Sequence, residues 1–477
     1  MHRSLRLRVL TSVLSLFVVA GLGSASQTLA QGFAVYEQGS CVMARAGAAV
    51  ANGCGDGSSI YFNPANIANM SGITVSVGGT LIAPQGSYTS GITGRESDLQ
   101  NDPVPVPHIY ATYEASDRLS LGIGTYVPYG LSTEWNPTFE GAFEGYDNSV
   151  QSIYIQPTIS YQITDRITVG GGPILSVSAV ELNQQLDLSQ QRARGGDTPG
   201  NPDDDVFFSE LGIPFHTAFG DTKLEATNET AFGGNIGVGV QATNRLRFGA
   251  RFTTPITVEF SGDATFTQRD TGLRLRTALG PNIPAGTPVD NVVAGQFSGD
   301  GSLTAQTIET EITFPAQLVV GTSFDATNRL TVMADYQWTG WSTLGEIPLD
   351  FEEDALDTER VLNYDNTSAF RVGGQYQALD QLMVRAGYLY NTPAAADASV
   401  TPLLPEAARN QFTLGLGWRP VDLLEIDVAY QYLGQNDRLG RVRDARVGEQ
   451  VGSLSELNEG LYSFDAHLVG LTLTFSL

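Results

Sequence analysis

The sequence predicts an all-β fold, a transmembrane antiparallel β-barrel of about fourteen strands, on three observations. The first is the end of the chain. In residues 463–477, Val469, Leu471, Leu473, Phe475 and Leu477 alternate with Gly470, Thr472, Thr474 and Ser476. Successive strand side chains point to opposite faces, so one face is wholly apolar and the other small and polar. Barrels turn the apolar face to lipid and the polar face to the lumen. The second observation is an export signal at the start of the chain. The third is a short turn that recurs along it and separates alternating segments.

The N-terminus carries Arg3, Arg6 and Arg8, then an apolar run over residues 9–20, then Thr28-Leu29-Ala30 as a small-residue cleavage site. Residues 1–30 therefore read as a signal peptide. The apolar run is shorter than the roughly 20 residues a spanning helix needs. No other segment is long and apolar enough, so a helical membrane protein is excluded. The formal charge is −25, and losing the three signal arginines makes it more negative. Phosphates would be repelled, so nucleic acid is excluded as a partner. Acidic runs such as Asp203-Asp204-Asp205 and Glu352-Glu353-Asp354 read as solvated loops, with calcium bridging to an anionic outer leaflet as the functional alternative.

Residues 31–72 do not alternate. They are rich in Gly, Ala and Asn, and they hold both cysteines, Cys41 and Cys54. The exported compartment is oxidising, so these two are expected to form a disulfide. Such a segment has room to hang in the periplasm or to fill the lumen, and residue physics does not choose between the two. The first strand follows, with Ile73, Val75, Val77, Gly79 and Leu81 on one face.

From there the punctuation is regular. Ser116-Asp117-Arg118-Leu119, Thr164-Asp165-Arg166-Ile167, Thr243-Asn244-Arg245-Leu246 and Thr327-Asn328-Arg329-Leu330 share one pattern, with looser versions at Asp380-Gln381 and Val421-Asp422. Asp and Asn favour tight turns by bonding their own backbone, and the apolar residue after each restarts a strand. After Thr327, for example, Leu330, Val332, Ala334, Tyr336 and Trp338 oppose Asp335 and Gln337. Long Gly/Pro/Asp-rich stretches, notably 185–228 and 263–308, separate the hairpins. Six short turns and seven long loops give the even strand number, with short turns on the periplasmic side. Tyr388, Tyr390, Trp418, Tyr430 and Tyr432 fall where interfacial girdles sit.

Several motifs are similar, in order, to those of one family. They are Gly32-Phe33, Ala44-Arg45-Ala46-Gly47 and Asn63-Pro64-Ala65, then residues 129–135, beginning Tyr129-Gly130-Leu131 and ending at Trp135. Thr254-Pro255-Ile256, Phe260-Ser261-Gly262, Trp341-Ser342, Arg385-Ala386-Gly387 and Thr392-Pro393 continue the series. Over essentially the whole mature chain the sequence resembles the outer-membrane long-chain fatty-acid transporter family of FadL type, which also includes aromatic-hydrocarbon transporters. The resemblance implies a barrel over 73–477 plugged by a hatch over 31–72, in the outer membrane of a Gram-negative bacterium. It implies passive uptake of hydrophobic molecules, with long-chain fatty acids first and aromatic hydrocarbons as the alternative. One departure is the last residue, Leu477, where such barrels often end in Phe.

The candidate functional residues follow. Pro128 cannot donate to a β-ladder, and Gly130 packs no side chain, so pairing is expected to fail around Pro128, Tyr129 and Gly130 near the end of the third strand, placed at 119–129. The resemblance implies lateral exit of ligand there; an ordinary strand end is the alternative. Arg247, Arg251, Arg371 and Arg385 project to the lumen face, and a guanidinium is the preferred partner of a carboxylate. Arg385 is favoured as the headgroup contact because it lies in a matched motif. The alternative is ion pairing with Asp335, Glu425 and Asp427. Phe33 is expected to enter and leave a ligand pocket, with Asn63, Pro64 and Ala65 in the hatch behind it. Apolar loop residues Val206, Phe207, Phe208, Leu211, Ile213, Phe215, Leu273, Leu275 and Leu279 read either as an extracellular capture groove or as loops packed on each other.

No enzyme is expected. His108, His216 and His467 are the histidines outside the signal, and no G-x-S-x-G nucleophile motif is present. No cofactor and no metal are expected. The expected partners are hydrophobic small molecules, outer-membrane lipid and the barrel-assembly machinery, with the protein monomeric. A general diffusion porin is the rival reading, and it predicts an open polar lumen with no hatch.

Overall fold

A computed structural model describes residues 33–91, 93–194, 206–441 and 459–477. The expected signal peptide, Gly32 and the Asp203-Asp204-Asp205 run lie outside the described residues. Fourteen antiparallel strands close into a barrel. They are β1 Ile73–Ser90, β2 Val104–Ser116, β3 Leu119–Glu134, β4 Asp147–Thr164, β5 Ile167–Asp187 and β6 Ala218–Gln241. β7 has two segments, Leu246–Thr253 and Ile256–Gln268, and β8 has two, Gln306–Phe314 and Gln317–Asp325. The rest are β9 Leu330–Thr339, β10 Thr367–Leu379, β11 Leu382–Asn391, β12 Arg409–Val421, β13 Leu424–Gln435 and β14 Glu459–Ser476. β14 closes on β1 along its length, from Thr74↔Ser476 to Ser90↔Gly460. Val469, Leu471 and Phe475 face outward and Thr472 and Thr474 are buried, as the alternation requires.

The recurring turn works differently from expectation. In three copies the first residue, threonine, does the bonding. Thr164, Thr243 and Thr327 each accept, on Oγ1, the backbone N–H groups two and three residues ahead. The hydroxyl thus imitates a turn carbonyl, and Asp or Asn at the second position is secondary.

The polarity of the wall reverses partway up. Below Pro255 and Pro315, Phe248, Phe252, Leu318, Val320 and Phe324 point outward while Arg251, Gln317 and Ser323 are buried inside. Above them Ile256, Val258, Phe260, Ile308, Ile312 and Phe314 turn inward, and Thr257, Glu259 and Glu311 face out. An apolar exterior belongs in lipid and a polar one in water, so the two prolines mark the outer boundary of the membrane band. The polar-inside rule therefore holds in β7 and β8 only below the two prolines. Strand β6 begins at Ala218 and β7 runs to Gln268, both inside the stretches read as loops. Of the two readings of the apolar loop residues, the packing fits loops on each other: Phe208, Ile213 and Leu275 are buried together with Leu188, Phe219 and Val289, with Leu211, Leu273 and Leu279 packed against them. Together they form a small core among the loops, with Phe208, Ile213 and Leu275 buried in it.

Residues 33–69 fill the lumen, with short helices α1 Ser40–Met43 and α2 Ser59–Phe62 and a 3-10 turn at Pro64–Asn69. Cys41 and Cys54 are joined by a disulfide with Cα atoms 6.2 Å apart. The barrel makes room for this plug with glycine. A Cβ on Gly237 would sit 2.0 Å from Asn63 Oδ1, and one on Gly249 would sit 2.1 Å from the Val50 carbonyl oxygen.

Candidate functional site

The site is built where β3 loses its neighbour. β3 pairs with β2 up to Ile109↔Thr125 and with β4 up to Tyr126↔Tyr154. Val127 and Pro128 then form a bulge, and pairing with β4 resumes at Tyr129↔Ser152. Proline has no N–H for the ladder, and a bulge bends its strand, so β3 swings inward and away from β2. Alternation stops there: residues 126–133 are buried without exception. The strand itself runs on to Glu134, beyond the expected end at 129.

The plug takes the place of the missing strand. Val35 N–H donates to the Pro128 carbonyl at 2.8 Å, and Gly130 N–H donates to the Phe33 carbonyl at 2.8 Å. Gln38 continues the ladder with its side chain, donating from Nε2 to the Val127 carbonyl at 2.6 Å and accepting the Val127 N–H on Oε1 at 3.2 Å. The Val127 N–H and C=O, the Pro128 C=O and the Gly130 N–H thus find partners in the plug, as buried groups must.

Phe33 sits at the end of this segment. Its ring meets Trp341 at 4.9 Å, Phe314 at 5.9 Å and Tyr129 at 6.2 Å, all edge-to-face. Tyr129 in turn donates from its hydroxyl to the Pro315 carbonyl at 3.0 Å. Above Phe33 lies a cavity of about 130 Å³ with Leu131, Val150, Leu224, Phe260 and Ile312 in its walls. One ring of contacts therefore forms the cavity floor and holds the plug against the bulge.

Below Phe33 the lumen is polar and tightly bonded. Asp335 accepts the Ala49 and Val50 N–H groups at 2.8 and 2.9 Å. Asn63 donates to the Val50 and Val238 carbonyls at 2.6 and 3.0 Å, and its Oδ1 accepts the Ala65 N–H at 3.1 Å, which caps the turn beginning at Pro64. A greasy molecule has no apolar route through this layer.

The four candidate arginines belong to that layer and do not line the apolar cavity. Arg385 is buried and ion-paired with Asp427 and, at 3.4 Å, with Glu425. Arg247 pairs with Asp325 at 2.9 Å beside a cavity of about 430 Å³ on the turn side of the plug. Arg251 donates to the Tyr61 carbonyl at 2.9 Å and lies 4.8 Å over the Tyr61 ring. Arg371 stacks 4.5 Å over Tyr36 of the plug. These geometries fit the structural alternative, lumen pairing and plug anchoring. Arg385, expected as the headgroup contact, is engaged by the Asp427 and Glu425 carboxylates in this structure.

The cation at the apolar cavity is Arg360, which the sequence reading passed over. It stands in the short strand Thr358–Val361, donates to Gln184, and lies 3.6 Å from Glu144. Its signal in the sequence is weak, since it occupies an acidic loop. Further out, Glu406 is fully buried in the loop between β11 and β12 and accepts the Ala394 and Ala395 N–H groups. Burial pushes its carboxyl above the usual range, against the pull of Arg409.

Comparison with known proteins comes to the same architecture. A family profile described as outer membrane protein transport protein (OMPP1/FadL/TodX) matches residues 21–476. The chain is 24% identical to outer membrane protein P1 of Haemophilus influenzae, over 97% of this chain and 98% of that protein. A Pseudomonas aeruginosa FadL homologue superposes with a TM-score of 0.77 at 19% identity, covering 94% of this chain and all of that one. The toluene transporter TodX of Pseudomonas putida gives 0.65 at 18% identity, covering 92% of this chain and 98% of that one.

Proposed function

From the premise that this chain belongs to the OMPP1/FadL/TodX family of outer-membrane transport proteins, we propose that it takes up compact neutral hydrophobes and releases them sideways through the wall. The observation that carries this reading is the shared role of Phe33. Its ring is at once the floor of the apolar cavity and the weight that holds residues 33–35 against the β3 bulge. A ligand that displaces Phe33 removes the strand substitute and uncovers the gap between β2 and β3. Lateral exit also follows from cost. Cargo forced down through the plug into the periplasm pays about 0.8 kcal/mol for each CH₂ returned to water, whereas cargo stepping into lipid pays almost none. Nothing in the sequence suggests energy coupling, so movement is down a gradient.

The size of the cavity supports a compact ligand. Its volume, about 130 Å³, is close to the roughly 150 Å³ that accommodates benzene in an apolar protein cavity. A long acyl chain needs Phe33 to move first. Long-chain fatty acid is the second reading, and Arg360 favours it, because a guanidinium at the rim suits a carboxylate. The two readings separate by equilibrium binding of radiolabelled toluene and oleate to the detergent-purified protein and its Arg360→Ala variant. Toluene binding that ignores the substitution supports the first. Oleate binding that falls tenfold or more in the variant supports the second. Binding of neither revives the diffusion porin.

A further inference from the structure

The β3 bulge is not the only lapse in the wall. β6 and β7 are paired at Glu225↔Asp263 and above, and again at Asn235↔Thr253 and below. Ten residues separate these anchors on each strand, so the register is the same on both sides. Between them no ladder forms along most of the stretch; beyond the lower anchor, Thr254 and Gly234 exchange hydrogen bonds, and then the pairing stops.

The cause is a phase mismatch. Both strands reverse which residues face inward, as the polarity switch requires, but they do so at different heights. β7 reverses at Thr254–Pro255. β6 reverses at Asn228, whose φ of 63° is left-handed and which sits in a bulge against β5 between Ser178 and Val180. Between the two reversals, Ile256, Val258 and Phe260 point inward while the facing residues Phe232, Thr230 and Asn228 point outward. Directly paired residues must share a face, and a one-residue slip inverts every side chain, so pairing is impossible until β6 has reversed too.

The mismatched stretch connects two apolar places. Inside, Ala226 of β6 and Phe260 of β7 both line the cavity above Phe33. Outside, Phe232 is 77% exposed, the largest exposure of any large apolar side chain described. The stretch lies at the polarity switch, where the outer leaflet ends. Phe232 also shares a cross-strand row with the β3 departure: Thr125↔Ile155, Ile155↔Leu175 and Leu175↔Phe232. Strands β3 to β6 thus form one panel with an unzipped edge on each side, and both edges border the same cavity.

We propose that the β6–β7 edge is an inlet, through which hydrophobic molecules dissolved in the outer leaflet enter the cavity. The inference rests on the transport reading above and adds where the cargo comes from. Its outer rim selects against anions. Glu259 stands directly opposite Glu311, both on the outward face, and like charges on facing positions repel each other and any carboxylate. The inlet therefore passes neutral molecules.

The test bridges the edges after folding, so that assembly is not at issue. Thr230→Cys and Thr257→Cys, both on the outward face, are introduced together; the native cysteines are already joined to each other. The purified protein in liposomes is treated with a bis-methanethiosulfonate, with the two single variants treated alike as controls. Radiolabelled naphthalene is then delivered from donor vesicles, and its uptake is timed. Bridging is expected to slow uptake at least tenfold while naphthalene binding to the detergent-solubilised protein stays unchanged. Uptake at the unbridged rate after complete bridging overturns the inlet and leaves the transporter standing. No uptake of naphthalene or oleate by the unbridged protein overturns the transport reading, and the inlet with it.

Discussion

Replacing Phe33 by alanine should release the plug from the β3 bulge. The ring is 5% exposed and makes three edge-to-face contacts, with Trp341, Phe314 and Tyr129. Truncating a buried Phe costs about 3–5 kcal/mol, of which aromatic pairing supplies roughly 0.5–1.5 kcal/mol per pair. The two backbone hydrogen bonds from 33–35 to the bulge offset this by only about 1 kcal/mol each. Taking about 3 kcal/mol as the loss, the undocked population rises roughly a hundredfold, at 1.4 kcal/mol per tenfold. The readout is amide hydrogen exchange of Val35 and Gly130, whose N–H groups make those two bonds. Both should exchange about a hundredfold faster, while amides of β11 to β13 keep their protection. Toluene uptake should speed up, because the gate is already partly open. Unchanged exchange at Gly130 would refute the argument, since it would mean that the bulge holds the segment without the ring.

Further expectations follow from individual contacts. Arg385→Ala should destabilise the barrel by about 3–5 kcal/mol, because it strands the buried Asp427, yet leave toluene and oleate binding unchanged; a binding loss without a stability loss would restore Arg385 as a ligand contact. Removing the 41–54 disulfide by Cys→Ser at both positions should cost the plug about 3 kcal/mol, the value for closing a loop of its size, seen as faster exchange over 41–54 with barrel amides unaffected. Glu406→Gln should change how stability depends on pH. Because burial raises the carboxyl of Glu406, the wild type loses stability as pH climbs from the ordinary glutamate value of about 4.5 through the raised one; the variant has no such slope. Urea unfolding at pH 4, 6 and 8 should show the difference widening with pH, and parallel profiles would contradict it.

The chain's local chemistry was legible wherever neighbours within a few residues decide the outcome. The Thr-Asn-Arg-Leu turns are set by one hydroxyl and the N–H groups just ahead of it, and the alternation of residues 463–477 fixes which face of β14 meets lipid. Pro128 announces a break because the missing donor is a property of the residue itself. What breaks along with it was not legible. That residues 33–35 and the Gln38 side chain fill the vacated ladder depends on a segment some ninety residues away. The lumen arginines show the same limit: alternation places Arg385 inside, but its partners Asp427 and Glu425 are supplied by another strand, β13, which only the closed barrel brings close.

By itself, then, the sequence determined the barrel, its strand periodicity, its short turns and the site of the kink, because each follows from backbone geometry and side-chain polarity acting over a few residues. Only the tertiary structure decided which face the upper strands turn inward, that Phe33 joins the cavity to the gate, and that β6 and β7 reverse at different heights. Those features are relations of register between strands. A shift of one residue inverts them, and no single strand carries the information.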